Sequence, residues 1–151
     1  MKYLFSFLFL VLSITSFSQQ TDYNLNKGFV VEGYDVVSYF TETKPVKGTK
    51  KHQTTYQGVK FKFSSEKNLT LFLENPEKYT PQYGGWCTYA LGIKREKVKI
   101  DPKTFEIREG KLYLFYNSWG INTFEKWKKE DPEKLRKQAD KNWKELIEEK
   151  S

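Results

Sequence analysis

YQGVKFKFSSEKNLTLFLENPEKY, Tyr56 to Tyr79, puts the second half of a hairpin and a helix side by side. Gln57-Gly58 is a two-residue turn. From Val59 to Phe63 apolar residues alternate with lysine, so Val59, Phe61 and Phe63 share one face and Lys60 and Lys62 the other. His52 to Tyr56 is the outgoing strand. Ser64 is placed to cap a helix whose apolar residues Leu69, Phe72 and Leu73 fall at helical spacing. Asn75-Pro76 ends that helix, and proline at a first helical position opens one further turn, Pro76 to Tyr79.

Gly84 and Gly85 allow unusual backbone angles or the close approach of a neighbour. Trp86 to Leu91 reads as a short apolar helix ended by Gly92. Asp101-Pro102 reads as a turn. A second hairpin runs from Thr104 to Tyr116 through Glu109-Gly110, with Phe105 and Ile107 facing Leu112 and Leu114 inward. Ile121, Phe124 and Trp127 mark one helix. Asp131-Pro132 opens another, with Leu135, Ala139, Asn142, Trp143 and Leu146 on one face. The fold class is α+β: two hairpins form a small antiparallel sheet, several short helices cover it, and the C-terminus is helical.

Upstream, Gly28 to Val31 reads as a short strand, Asp35 as the cap of a short helix, and 41–49 as a loop. Residues 19–32 are expected to be a flexible lead-in. The first residues read as a secretory signal, 1–18. Lys2 supplies the positive end, Leu4 to Leu12 the apolar stretch, and Ser16-Phe17-Ser18 the small residues before the cut. The apolar stretch is far short of the roughly 20 residues that span a bilayer. Gln19 follows the cut, so no cysteine is there to be lipidated. The expected location is outside the cytoplasm, periplasmic or secreted, with no transmembrane segment in the mature chain.

The 151 residues allow one domain with a modest core, helped by 17% aromatic residues. The net charge is +7, but the lysines are dispersed and alternate with glutamates, and no arginine block is present. Nucleic acid is not an expected partner; a metal, a small molecule or another exported protein is. The one cysteine, Cys87, excludes an internal disulfide and every multi-cysteine zinc site within one chain.

The segments GYDVVSYF, YQGVKFKFSSEKNLTLFLENPEKYTPQYGGWC, DPKTFEIREGKLYLFYNSW and ADKNW together resemble the YHS domain family, in its exported, single-cysteine branch. The resemblance runs from Gly33 to Trp143, and the domain is expected to occupy 33–148. It implies metal binding, because YHS domains and the related TRASH domains occur in copper-transporting ATPases. In those domains the hairpin is followed by Phe-Cys-Ser and a second cysteine. The two cysteine positions fall here on Ser64 and Asn68. The positions of Cys87 and His52 are shared with the exported branch.

Cys87 and His52 are the only cysteine and the only histidine in the chain, and they are the candidate metal ligands. Thiolate suits Cu(I), and imidazole suits copper, zinc or haem iron, so copper or haem is the expected cofactor. Tyr83 and Trp86, flanking Gly84-Gly85, are candidate cofactor contacts. The structural alternative makes Cys87 a core residue, leaves His52 solvated beside Lys50 and Lys51, and makes the glycines a tight turn. Asp35 and Asp101 read better as capping and turn residues than as an acid–base pair. No nucleophile-elbow motif and no phosphate-cradling loop is present. Three function classes remain: a metal or cofactor-binding module, an interaction domain of the cell envelope, and a thiol-dependent enzyme.

Overall fold

The computed structural model describes residues 22–151; the signal sequence expected at 1–18 lies outside them. In chain order the elements are β1 (Leu25–Asn26), β2 (Phe29–Val30), α1 (Ser38–Thr41), β3 (Thr49–Tyr56), β4 (Val59–Phe63), α2 (Glu66–Glu74) and α3 (Pro76–Tyr79). They are followed by α4 (Thr88–Lys94), β5 (Asp101–Arg108), β6 (Lys111–Phe115), β7 (Asn117–Ser118), β8 (Ile121–Asn122), α5 (Thr123–Lys129) and α6 (Pro132–Glu148). The class is α+β. Among the described residues no helix is long and apolar enough to cross a membrane.

The hairpins predicted from sequence are present, but they do not share a sheet. The first sheet runs β1-β2-β4-β3, with β2 parallel to β4 at Phe29↔Lys60. The free edge of β4 is therefore filled from the N-terminus, and β5 pairs only with β6. This also corrects the flexible lead-in. Over its described part, 22–32, the chain supplies two strands and buries Tyr23, Val30 and Val31.

Four turns share one construction. Lys27-Gly28, Gln57-Gly58, Glu109-Gly110 and Trp119-Gly120 each join two antiparallel strands through two residues with positive φ. That geometry matches the natural twist of the strands, and glycine takes its second position without strain.

The core has two halves, and β6 stands between them. Leu112 and Leu114 join one cluster with Phe61, Phe63, Phe72 and Cys87. Tyr113 and Phe115 join the other with Trp127, Leu135 and Ala139. All four are buried, because helices cover the side opposite the first sheet. A strand covered on both faces needs apolar residues on both, so simple alternation misreads it. Ile107, expected inward, stays 37% exposed opposite Leu112.

Two helix ends differ from expectation by a definite cause. Ser65, not Ser64, caps α2: its hydroxyl accepts the Asn68 amide at 3.1 Å, while the Ser64 hydroxyl is engaged elsewhere. Gly92 does not end α4. The helix runs to Lys94 and closes on Arg95 in the left-handed conformation. Gly92 lies where α4 crosses α6, and a Cβ there would sit 2.8 Å from the Leu135 carbonyl oxygen. Asn142 fastens the same crossing by donating to the Leu91 carbonyl at 2.6 Å. The Asp101-Pro102 turn is instead the bulged start of β5. Asp101 Oδ1 accepts the Lys103 amide at 2.9 Å, and Oδ2 accepts the Thr104 hydroxyl at 3.0 Å.

Candidate functional site

Asp35 is fully buried. Its Oδ1 accepts the amides of Val37 and Ser38 at 2.9 and 3.3 Å, so it caps the turn leading into α1, whose own N-cap position is Val37. Its Oδ2 does more. It accepts the Ser64 amide at 2.8 Å, the Ser64 hydroxyl at 2.7 Å and the Asn68 side-chain amide at 2.7 Å. A buried carboxylate is tolerated only when such donors replace its water. Ser64 and Asn68 stand at the positions that the resemblance assigns to metal-binding cysteines. Here both are spent on tying the corner between β4 and α2 to the turn before α1.

Cys87 is also fully buried, at the residue that opens α4. Its sulfur accepts the Tyr116 amide at 3.4 Å and lies 3.4 Å from Thr123 Oγ1. The Thr123 hydroxyl has a single proton and gives it to the Tyr116 carbonyl at 2.9 Å. The thiol must therefore be the donor in the Cys87–Thr123 contact. Buried and engaged on both sides, the Cys87 sulfur packs and hydrogen-bonds within the core.

His52 lies in the bulged half of β3, the edge strand of the first sheet. It shares no hydrogen bond with Cys87 or its partners. Among the described residues no group of three or more His, Cys, Asp or Glu side chains is placed to hold a metal ion.

One consequence is direct. A thiol reagent added to the folded protein is expected to leave Cys87 unmodified, with full reaction in denaturant, read by intact mass. Cys87→Ala should cost roughly 1–2 kcal/mol of stability in urea titration, from the lost hydrogen bonds and volume.

Tyr83 is in a different setting. A cleft of about 200 Å³ opens between the N-terminal segment, the β3–β4 turn, the residues after α3, and α6. Tyr23, Tyr56, Tyr83 and Trp143 give it aromatic walls, and Glu77 is its carboxylate. Tyr83 is held with φ +54°, in the left-handed region that a bulky residue seldom occupies. Its hydroxyl donates to Asp140 Oδ1 at 2.7 Å. Burial, and then that bond to Asp140, push its pKa far above the usual tyrosine range, so the hydroxyl stays protonated. Tyr23 donates to the Gln57 side-chain oxygen at 2.7 Å, and burial pushes its pKa up to about 12.

Gly84 adjoins this site, with φ +59°. A Cβ there would meet the Asp22 carbonyl oxygen at 2.2 Å. The glycine pair thus serves the close approach expected of it, and the neighbour is the N-terminal segment. Trp86 completes the join: its indole donates to the same Asp22 carbonyl at 3.0 Å. Among the four predicted site residues, only Tyr83 lines the cleft. Tyr23, Glu77 and Trp143 escaped sequence reasoning. Tyr23 lay in the supposed lead-in, and Trp143 read as a core-facing helix residue.

Residues 37–83 match the YHS domain model, and the chain carries a YHS domain. The match covers α1 to Tyr83 and leaves the second hairpin and the C-terminal helices outside. No curated protein and no solved structure matches the chain.

Proposed function

We propose that the chain is an exported, non-catalytic YHS-domain module that binds a small organic cation in the cleft of Tyr23, Tyr56, Tyr83, Trp143 and Glu77. One observation carries this reading. In a chain with 26 lysines and arginines, none of the described residues lining the cleft is basic, and one is acidic. Aromatic rings present their negative faces to cations, each contact contributing about 0.5–2 kcal/mol. The strained backbone at Tyr83 supports it too, since such strain gathers at sites that hold ligands.

The resemblance points instead to copper or haem at Cys87 and His52. That reading has to contend with a buried, doubly engaged thiol and with an edge-strand histidine that belongs to no group of three candidate ligands among the described residues. A thiol-dependent enzyme meets the same obstacle at Cys87.

NMR titration with tetramethylammonium tests the proposal. Three or four ring contacts correspond to a Kd of about millimolar. Shifts should concentrate at Tyr56, Glu77, Tyr83 and Trp143. Glu77→Gln should weaken binding about fivefold, the scale of one exposed charge. Equal titration of wild type and Glu77→Gln, or shifts scattered over the surface, would reject the cleft. Stoichiometric Cu(I) or haem binding lost in Cys87→Ala would restore the metal reading.

A further inference from the structure

The four X-Gly turns allow a comparison inside one molecule. Their first residue, at positive φ and pointing to solvent, is Lys27, Gln57, Glu109 and Trp119. Three of these are long and polar, as an exposed turn demands. The fourth is a tryptophan that is 93% exposed. Ile121, just after it on β8, is 47% exposed. Nothing in the fold requires an indole there: the turn has open space around Gly120, and the three sister turns form without an aromatic. A bulky side chain in left-handed backbone adds strain that asparagine or glycine would avoid.

Among the described residues, two unpaired lysines sit on the elements that flank the hairpin. Thr104 accepts a hydrogen bond from the Asn117 side chain at 3.1 Å, which holds the hairpin beside β5 and its exposed Lys103. Lys126 is exposed in α5, which begins directly after β8. Lys128 is paired with Glu125 at 2.7 Å, but Lys103 and Lys126 stand in no ion pair among the described residues.

We propose that the Trp119–Gly120 hairpin tip docks the protein onto an anionic lipid surface. An indole and an aliphatic side chain on a narrow tip suit the headgroup level of a bilayer, where tryptophan is favoured. Unpaired lysines on the flanking elements meet lipid phosphates, and the net charge of the mature chain, +7 less Lys2 or +6, gives the same attraction at longer range. The tip is independent of the aromatic cleft, so either reading can fail without the other.

The test uses the mature chain, residues 19–151, with vesicles of phosphatidylcholine containing or lacking phosphatidylglycerol, and with brominated lipids as quenchers. Wild type should show tryptophan quenching with the anionic vesicles, and Trp119→Ala should lose that component. Partitioning should fall about tenfold in Trp119→Ala and about fivefold for each of Lys103→Gln and Lys126→Gln. Circular dichroism should stay unchanged, because Trp119 packs on nothing. Equal quenching in wild type and Trp119→Ala would overturn the proposal. So would equal partitioning onto neutral and anionic vesicles, or a soluble dimer of wild type that Trp119→Ala dissolves, which would make the tip an interface between copies.

Discussion

Asp35→Ala is expected to lower the stability of the domain by about 3–5 kcal/mol, the range for removing one partner from a buried charged cluster. The carboxylate is fully buried and is the common acceptor for Val37, Ser38, Ser64 and Asn68. Its removal leaves the Ser64 and Asn68 donors facing an apolar gap, and each unmet buried donor costs about 1–3 kcal/mol. Domains of this size hold only about 5–15 kcal/mol in total, so the variant should be marginal at room temperature. Ser64→Ala removes one of several donors and should cost only about 1 kcal/mol. Urea titration of the two variants gives the comparison. A loss for Asp35→Ala no larger than that for Ser64→Ala would mean that the cluster is not what joins α1 to the β4–α2 corner.

That cluster also marks how far the sequence could be read. Local signals read the turns, though Ser64 and Gly92 are not the helix ends they suggest. Gln57-Gly58 between alternating residues identified the first hairpin, and Asp35 was recognised as a cap because its two amide partners lie within three residues. The rest of its partners lie about thirty residues away, and nothing in a linear pattern links Asp35 to Asn68. The same limit hid the parallel pairing of β2 with β4: Gly28 to Val31 reads as a strand, but nothing local names its partner. The dual burial of β6 was misread because alternation assumes one covered face. The aromatic cleft is assembled from well-separated segments, so Tyr83 was found through its glycines while Tyr23 and Glu77 were not. Cys87 and His52 attracted attention by being unique, and uniqueness has no geometry: one is in the core and the other on an edge strand.

Gly84→Ala carries the second large effect, and it separates two costs that glycine substitutions usually mix. At φ +59° any side chain costs about 1 kcal/mol of backbone strain. At this position the new methyl would also lie 2.2 Å from the Asp22 carbonyl oxygen, 3.0 Å from the Asp22 carbonyl carbon and 3.1 Å from Tyr23 Cα. All three are backbone atoms, so the N-terminal segment must lift away. Lifting it breaks the Asn24 amide bond to the Gly84 carbonyl at 2.9 Å and the Trp86 indole bond to Asp22. It also exposes Tyr23, and losing the burial of one large side chain is worth about 1.5–3 kcal/mol. The expected total is about 3–5 kcal/mol in urea titration, with faster hydrogen exchange at Asn24 and a weakened aromatic cleft. Gly110→Ala is the matched control. Its φ is +72°, and nothing lies within 4 Å of the added methyl, so only the backbone strain of about 1 kcal/mol should appear. If the two variants lose equal stability, the N-terminal segment is not docked against Gly84, and Tyr23 does not belong to the cleft. If Gly84→Ala loses several-fold more while exchange rises first at Asn24, the lead-in is a structural wall of the ligand site.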